Sequence, residues 1–282
     1  GRERGRASGP PAGRERGRAS RSQPGRRGLG GEQVEGRRSV RELLAAPSTR
    51  AIDVWLADDL GPSALLREIA DLAVARQVPL RRVLRARLEA EARTDAPQGA
   101  LAHARPLAEA DLDGLCRRRR GQPPFLVVID GVTDPHNLGA LLRTAVSAGS
   151  TGVVLPRHRA VHVTPAVTKA AAGAVEHIPL ALVAGVPAAL AHLASQGIWS
   201  IGLDAGATTS MFGLPLADQP VALVLGAESR GLGHLTRRRC DVLAAIPHAG
   251  PLASLNVSAA GAVACFEVAR ARARAEDGDP IL

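Results

Sequence analysis

The spacing of apolar positions divides the chain into stretches of different character. Residues 1–35 hold almost no apolar run; they are mostly Gly, Pro, Ser and Arg, with GRERGRAS at 1–8 repeated at 13–20. Such a segment cannot bury enough apolar surface to offset the entropy of ordering, so a disordered Arg/Gly-rich tail is expected. Residues 36–106 read as a small α/β unit. AIDVWLA (51–57) predicts a strand, and ALAHARPL (100–107) a second that closes the unit. Between them PSALLREIADLAVARQ (62–77) predicts an amphipathic helix with Leu65, Leu66, Ile69, Leu72 and Ala73 on one face. EAEARTDAPQGA and CRRRRGQPP carry charge, Pro and Gly, which predicts loops and a linker over 107–122.

From 123 to about 275 short apolar runs alternate with helical periodicity. FLVVID and GVVLP flank the helical NLGALLRTAVSAG; IWSIGLD, VALVLG and VLAAIP follow, and SLNVSAAGAVACFEVARARARA is helical again. This alternation predicts an α/β fold with a mainly parallel sheet covered by helices. Ligands of such sheets sit at the carboxyl ends of strands. Three loops fall there: DGVTDPHN, GAESRGLG and PHAGPLASLN.

The loops exclude two familiar chemistries. Gly226 and Gly231 have GxxxxG spacing, yet Leu232 and Gly233 stand where a phosphate loop needs Lys and Ser or Thr. No GxGxxG opens the first strand-to-helix turn, which removes the usual dinucleotide fingerprint. Asn137 stands at the predicted N-cap of a helix whose apolar face is Leu138, Leu141, Leu142, Ala145 and Gly149. Arg143 points away from that face, about 140° from Leu138 at 100° per residue; it is either a solvated surface arginine or a functional cation. Glu228 is either an exposed turn carboxylate or an acceptor buried at the sheet's edge. Ser254 and Asn256 are polar where a segment of small apolar residues begins, with Ser254 a candidate helix cap.

Composition narrows the partners. The 282 residues are 45% hydrophobic, enough for a real core, with a net charge of +9. Residues 1–40 contain eleven arginines and four glutamates, so +7 of that excess lies near the N-terminus. Lys169 is the only lysine, and guanidinium suits planar phosphate contacts. A nucleic-acid partner and a merely solvating tail both fit the charge. Five aromatics and no tyrosine argue against a base-stacking platform. Cys116, Cys240 and Cys265 are odd in number and far apart, which indicates neither a disulfide framework nor a zinc site and fits a reducing cytoplasm. No apolar run approaches the roughly 18 residues of a membrane helix, and no signal-peptide core follows the basic N-terminus. A cytoplasmic protein with no metal and no membrane partner is expected.

Taken together, DGVTDPHNLGALLRTA, VALVLGAESRGL and IPHAGPLASLNVSAAGAVACFE resemble, in order and spacing, the three motifs of the SpoU/TrmH family of RNA ribose 2'-O-methyltransferases. The resemblance spans residues 125 to about 272. The preceding α/β unit is similar to that family's small ribosomal-protein-like RNA-binding domain, and GRRSVRELL matches its usual beginning. The resemblance implies a SPOUT fold with a deep trefoil knot formed by the last two loops, and a homodimer with catalytic sites near its interface. It further implies S-adenosylmethionine as methyl donor and RNA as substrate, with a guanosine of 23S rRNA the expected target. Carried onto matching positions, donor contacts fall at Gly226, Ile246 and Leu255, largely through backbone groups. The catalytic set falls at Asn137, Arg143, Glu228, Ser254 and Asn256, with Arg143 either a general base or a phosphate clamp. His248 stands where relatives usually carry Met, and PQGA (97–100) replaces a usual His-Gln-Gly pattern; both departures bear on substrate choice. The alternatives are the same chemistry on tRNA or on an rRNA adenosine, and a non-catalytic RNA-binding or ribosome-assembly protein.

Overall fold

The computed structural model describes residues 28–118, 121–158, 162–216, 218–251 and 254–276. Most of the expected disordered tail, residues 1–27, lies outside the described residues. Its last part is ordered, contrary to expectation: Leu29 is fully buried and β1 (Gln33–Glu35) is a strand. Apolar Val34 within it supplies the burial that the arginine-rich repeats lack.

The small domain continues with α1 (Arg37–Ala45), β2 (Ala51–Ala57), α2 (Ala64–Ala75), β3 (Leu80–Val83), α3 (Arg85–Glu91) and β4 (Ala100–Ala104). Its sheet runs β1-β4-β2-β3, with β2 and β3 parallel and the other pairs antiparallel. The Ser63 hydroxyl caps α2 by accepting from the Leu66 N–H. Leu66, Ile69 and Ala73 of α2 pack with Val40, Leu43 and Leu44 of α1 onto Val54 and Leu56 of β2. The segment EAEARTDAPQGA is therefore a loop only in part, because its first three residues end α3. The expected linker 107–122 is likewise part of the packed structure. It contains α4 (Leu112–Leu115), capped by Asp111, and Leu115 is buried.

The larger domain holds β5 (Phe125–Asp130), α5 (Pro135–Ser147), β6 (Gly152–Pro156), α6 (Pro165–Ala170), β7 (Leu180–Val183), α7 (Val186–Ser195), β8 (Trp199–Leu203), β9 (Thr209–Ser210), β10 (Val221–Gly226), α8 (His234–Arg239), β11 (Val242–Ala245) and α9 (Val257–Glu276). The sheet order is β7-β6-β5-β10-β8-β11-β9, and every pairing is parallel. Side chains of a strand alternate between faces. Phe125, Val127 and Ile129 therefore meet α5 and α9, while Leu126 and Val128 meet α7. Burying each such side chain contributes roughly 1.5–3 kcal/mol.

This arrangement sends the loops after β5, β10 and β11 out of one edge of the sheet, since all strands point the same way. The two domains are held together at Arg50 and Glu176. That ion pair is bidentate at 2.6 and 2.9 Å, with side chains only 12% and 4% exposed. The Ser39 hydroxyl donates to the Thr168 carbonyl across the same boundary at 3.0 Å.

Candidate functional site

At that edge the loops enclose a cavity of about 380 Å³. Leu225 and Gly226 end β10, Ile246 follows β11, and Leu255, Val257 and Ala260 come from the start of α9; together they give it apolar walls. Gly226 is required by close approach. A Cβ there would lie 2.2 Å from the Gly231 carbonyl carbon and 2.3 Å from the Leu232 nitrogen. The turn that crowds it is closed by reciprocal backbone bonds between Ala227 and Gly231, at 3.0 and 2.8 Å. All three residues expected to contact a donor, Gly226, Ile246 and Leu255, line this one cavity.

Glu228 and Ser254 line it as well, and Glu228 is the junction of the polar groups. Its Oε1 accepts from Asn137 Nδ2 and from Asn256 Nδ2, each at 2.5 Å. One carboxylate oxygen thereby joins side chains from all three loops. Glu228 is solvent-exposed, so of the two sequence readings the turn position holds, yet it serves as an acceptor there. Two amide donors converging on one oxygen fix the orientation of both amides.

The caps differ from expectation. Asp134, not Asn137, is the N-cap of α5: its carboxylate accepts from the His136 and Asn137 N–H groups, and Pro135 takes the first helical position. Asn137 is therefore inside the first turn, where its side chain is released to reach Glu228. Gly149 lies beyond the end of that helix rather than on its apolar face. At α9 the cap is Asn256, whose Oδ1 accepts from the Ser258 N–H at 2.8 Å. Ser254 is exposed at the cavity and does not cap. Asn256 thus uses its oxygen on the helix and its nitrogen on Glu228.

Arg143 is not part of this cluster. It is exposed on α5, six residues past Asn137 and so about 9 Å along the axis at 1.5 Å per residue. It borders the cleft between α5 and α1 of the small domain.

Three charged residues outside the expected set also line the cavity: Asp204, Arg230 and Arg237. Burial pushes the Asp204 carboxyl up. The Arg237 guanidinium at 2.5 Å and the Gly206 N–H outweigh that and hold it below the usual range. Asp204 follows β8 at the carboxyl end of the sheet, so the rule that selected three loops could have selected a fourth. Arg230 lies within the GAESRGLG loop, and nothing in the pattern marked Arg237. Cys240 is close by, but burial and then the charges of Asp241 and Asp130 push its thiol up to about 12, which leaves it unreactive at neutral pH. Among the described residues no cluster could hold a metal ion.

Comparison with known proteins bears on both domains. Residues 124–266 match the model of the SpoU rRNA Methylase family, and residues 33–110 match that of RNA 2'-O ribose methyltransferase substrate binding. The chain is similar to the 23S rRNA (guanosine-2'-O-)-methyltransferase RlmB of Shewanella oneidensis, at 38% identity over 243 residues, covering 84% of this chain and 96% of that protein. It is 39% identical over 248 residues to the RlmB of Haemophilus influenzae, covering 86% of this chain and 98% of the other. Among solved structures, the SpoU methyltransferase AviRb from Streptomyces viridochromogenes superposes with a TM-score of 0.70 at 22% identity. That match covers 86% of this chain and 90% of that one, and shows the shared fold.

Proposed function

The chain belongs to the SpoU rRNA methylase family, and from that premise we propose that it transfers the methyl group of S-adenosylmethionine to the ribose 2'-hydroxyl of one guanosine in 23S rRNA. The observation that carries the reading is the convergence of Asn137, Glu228 and Asn256, through one carboxylate oxygen, beside the cavity. The cavity suits the donor. Its apolar walls at Leu225, Ile246 and Leu255 fit a flat adenine, and crowding at Gly226 leaves backbone where a side chain would otherwise stand. Gly226, Ile246 and Leu255 hold the donor, and Asp204 and Glu228 supply negative charge for its cationic end. When bound, the donor supplies an already activated methyl group, so the protein's contribution is placement.

Glu228 fixes Asn137 and Asn256, and Asn137 presents its side-chain oxygen to the substrate. Ser254 adds a hydroxyl at the same wall. Arg143 acts as a phosphate clamp, because a guanidinium keeps its proton at any working pH. The small domain selects the RNA. The finer architecture belongs to the same proposal: a deep trefoil knot in the loops after β10 and β11, supported by β10 entering the sheet between the earlier strands β5 and β8. A homodimer is supported by apolar side chains left in water: Phe212 is 49% and Phe266 52% exposed. The Gly213 N–H donates to Glu267 at 2.9 Å, which sets those two rings on neighbouring segments. A cytoplasmic location completes the reading; among the described residues no helix is long and apolar enough to cross a membrane.

The test is transfer of labelled methyl groups from S-adenosylmethionine to 23S rRNA, with donor affinity measured by calorimetry in parallel. Label in 2'-O-methylguanosine is expected, together with a fall of at least about 100-fold in Glu228→Gln. Donor binding without transfer to any RNA would instead identify a non-catalytic RNA-binding protein.

A further inference from the structure

We propose that the cleft between the two domains is a binding track for the phosphodiester backbone of the substrate RNA. The inference rests on the RNA methyltransferase reading above and adds where the strand lies. Two adjoining hollows of about 350 and 410 Å³ run between α1 and α2 on one side and α5 and α6 on the other, sharing Arg38, Leu65, Arg143 and Ala172. The first is lined by Arg37, Arg38, Arg143 and Lys169, and by no carboxylate. Among the described residues none of these four forms a salt bridge.

The second hollow does contain carboxylates, but they are already engaged. Glu68 takes Arg41 at 2.9 Å, and Glu42 takes Arg41 and His177, each at 2.6 Å. The two carboxylates stand against five cations along the two hollows, Arg37, Arg38, Arg41, Arg143 and Lys169, so the cleft keeps a positive excess. Two of them are also held in place by neutral acceptors, which fix position without cancelling charge. Arg37 donates to the Gln98 carbonyl at 2.8 Å and to the Ser63 hydroxyl at 3.3 Å; Lys169 donates to the Thr94 hydroxyl at 3.3 Å.

Four cations contributed by both domains repel one another unless an anion lies between them. Two adjoining open hollows suit successive phosphates of a strand better than one small ion. Position argues the same way. Arg143 shares α5 with Asn137, about 9 Å along its axis, so a strand in the cleft leads from the small domain toward the Glu228 cluster.

The one lysine of the chain makes the site directly readable. Full-length protein is treated with an amine-acylating reagent, alone or with a 23S rRNA transcript, and peptide mapping separates Lys169 from the terminal amine. RNA should slow acylation of Lys169 at least about fivefold, while inorganic phosphate at equal phosphate concentration should leave it unchanged. In the double variant Arg38→Ala with Lys169→Ala, RNA affinity should fall about tenfold or more. Its logarithmic salt dependence should flatten by one to two, at about 0.7–0.9 for each phosphate no longer neutralised. Donor affinity should stay at the wild-type value, and Lys169→Arg should retain RNA binding. Unprotected Lys169 and an unaltered salt slope, in a protein that still methylates RNA, would overturn the cleft alone. Protection by inorganic phosphate to the same extent would also overturn it, in favour of a small-anion site. Failure of the wild type to methylate any RNA would overturn the underlying reading and this inference with it.

Discussion

Asn256 does two jobs with one amide, and they can be separated. Its oxygen caps α9 and its nitrogen donates to Glu228. Removing a cap of this kind costs about 1 kcal/mol. Asn256→Ala should therefore lower stability by about that amount and also reduce methyl transfer. Asn256→Ser keeps a capping oxygen but has no amide to reach Glu228; it should recover stability in thermal denaturation while transfer stays low. Equal transfer rates in wild type and the serine variant would confine Asn256 to capping. Part of this was legible. Ser254 and Asn256 stood out as polar residues at the start of an apolar segment, but which of them caps depends on where the first helical turn begins, and the pattern leaves that open by a residue or two. Asn137 was displaced for a related reason. Asp134 followed by Pro135 is itself a helix-start signal, yet the segment read as loop up to Asn137.

Strands and helices were legible in proportion to their burial. FLVVID, GVVLP and VALVLG are near-continuous apolar runs because parallel strands covered on both faces exclude polar residues. By contrast, β3 has the sequence LRRV with its two arginines exposed, and β1 has three residues; neither shows a period long enough to read. The helix α7, VPAALAHLAS, is too uniformly apolar for a contrast between faces to mark it. One packing feature had no sequence signal at all. Gly139 on α5 meets α6 so closely that a Cβ would lie 2.5 Å from Ala170 Cβ and 2.8 Å from the Val167 carbonyl oxygen. Helix propensity alone favours Ala over Gly by about 1 kcal/mol. Overpacking against backbone costs roughly 1–3 kcal/mol, so Gly139→Ala should destabilise the protein, as chemical denaturation would reveal. A more stable variant would mean that α6 can move aside.

At the scale of the whole molecule, the junction between the two domains could not be read from the sequence, since Arg50 and Glu176, Glu42 and His177, and Thr94 and Lys169 meet only in three dimensions. That junction responds to acid. Burial pushes the Glu42 carboxyl up, but hydrogen bonds and charge from Arg41 and His177 outweigh it and hold the group below its usual range. A carboxylate whose folded value is lowered adds stability that is complete above its unfolded value and is lost as pH falls through the folded one. The wild type should therefore lose stability between about pH 5 and pH 3 more steeply than Glu42→Gln. Parallel melting curves across that range would check it, and identical slopes would remove Glu42 from the account. The junction matters because the cleft beside it joins the domain assigned to RNA selection to the one that carries Glu228. The most direct measurement of the central claim is ribose-methylation mapping of 23S rRNA from cells with and without this gene. The account predicts that a single guanosine loses its 2'-O-methyl group when the gene is absent and regains it when the protein is restored, but not when Glu228→Gln is supplied. An unchanged 23S rRNA map, or loss of the mark from an adenosine or a tRNA instead, would contradict it.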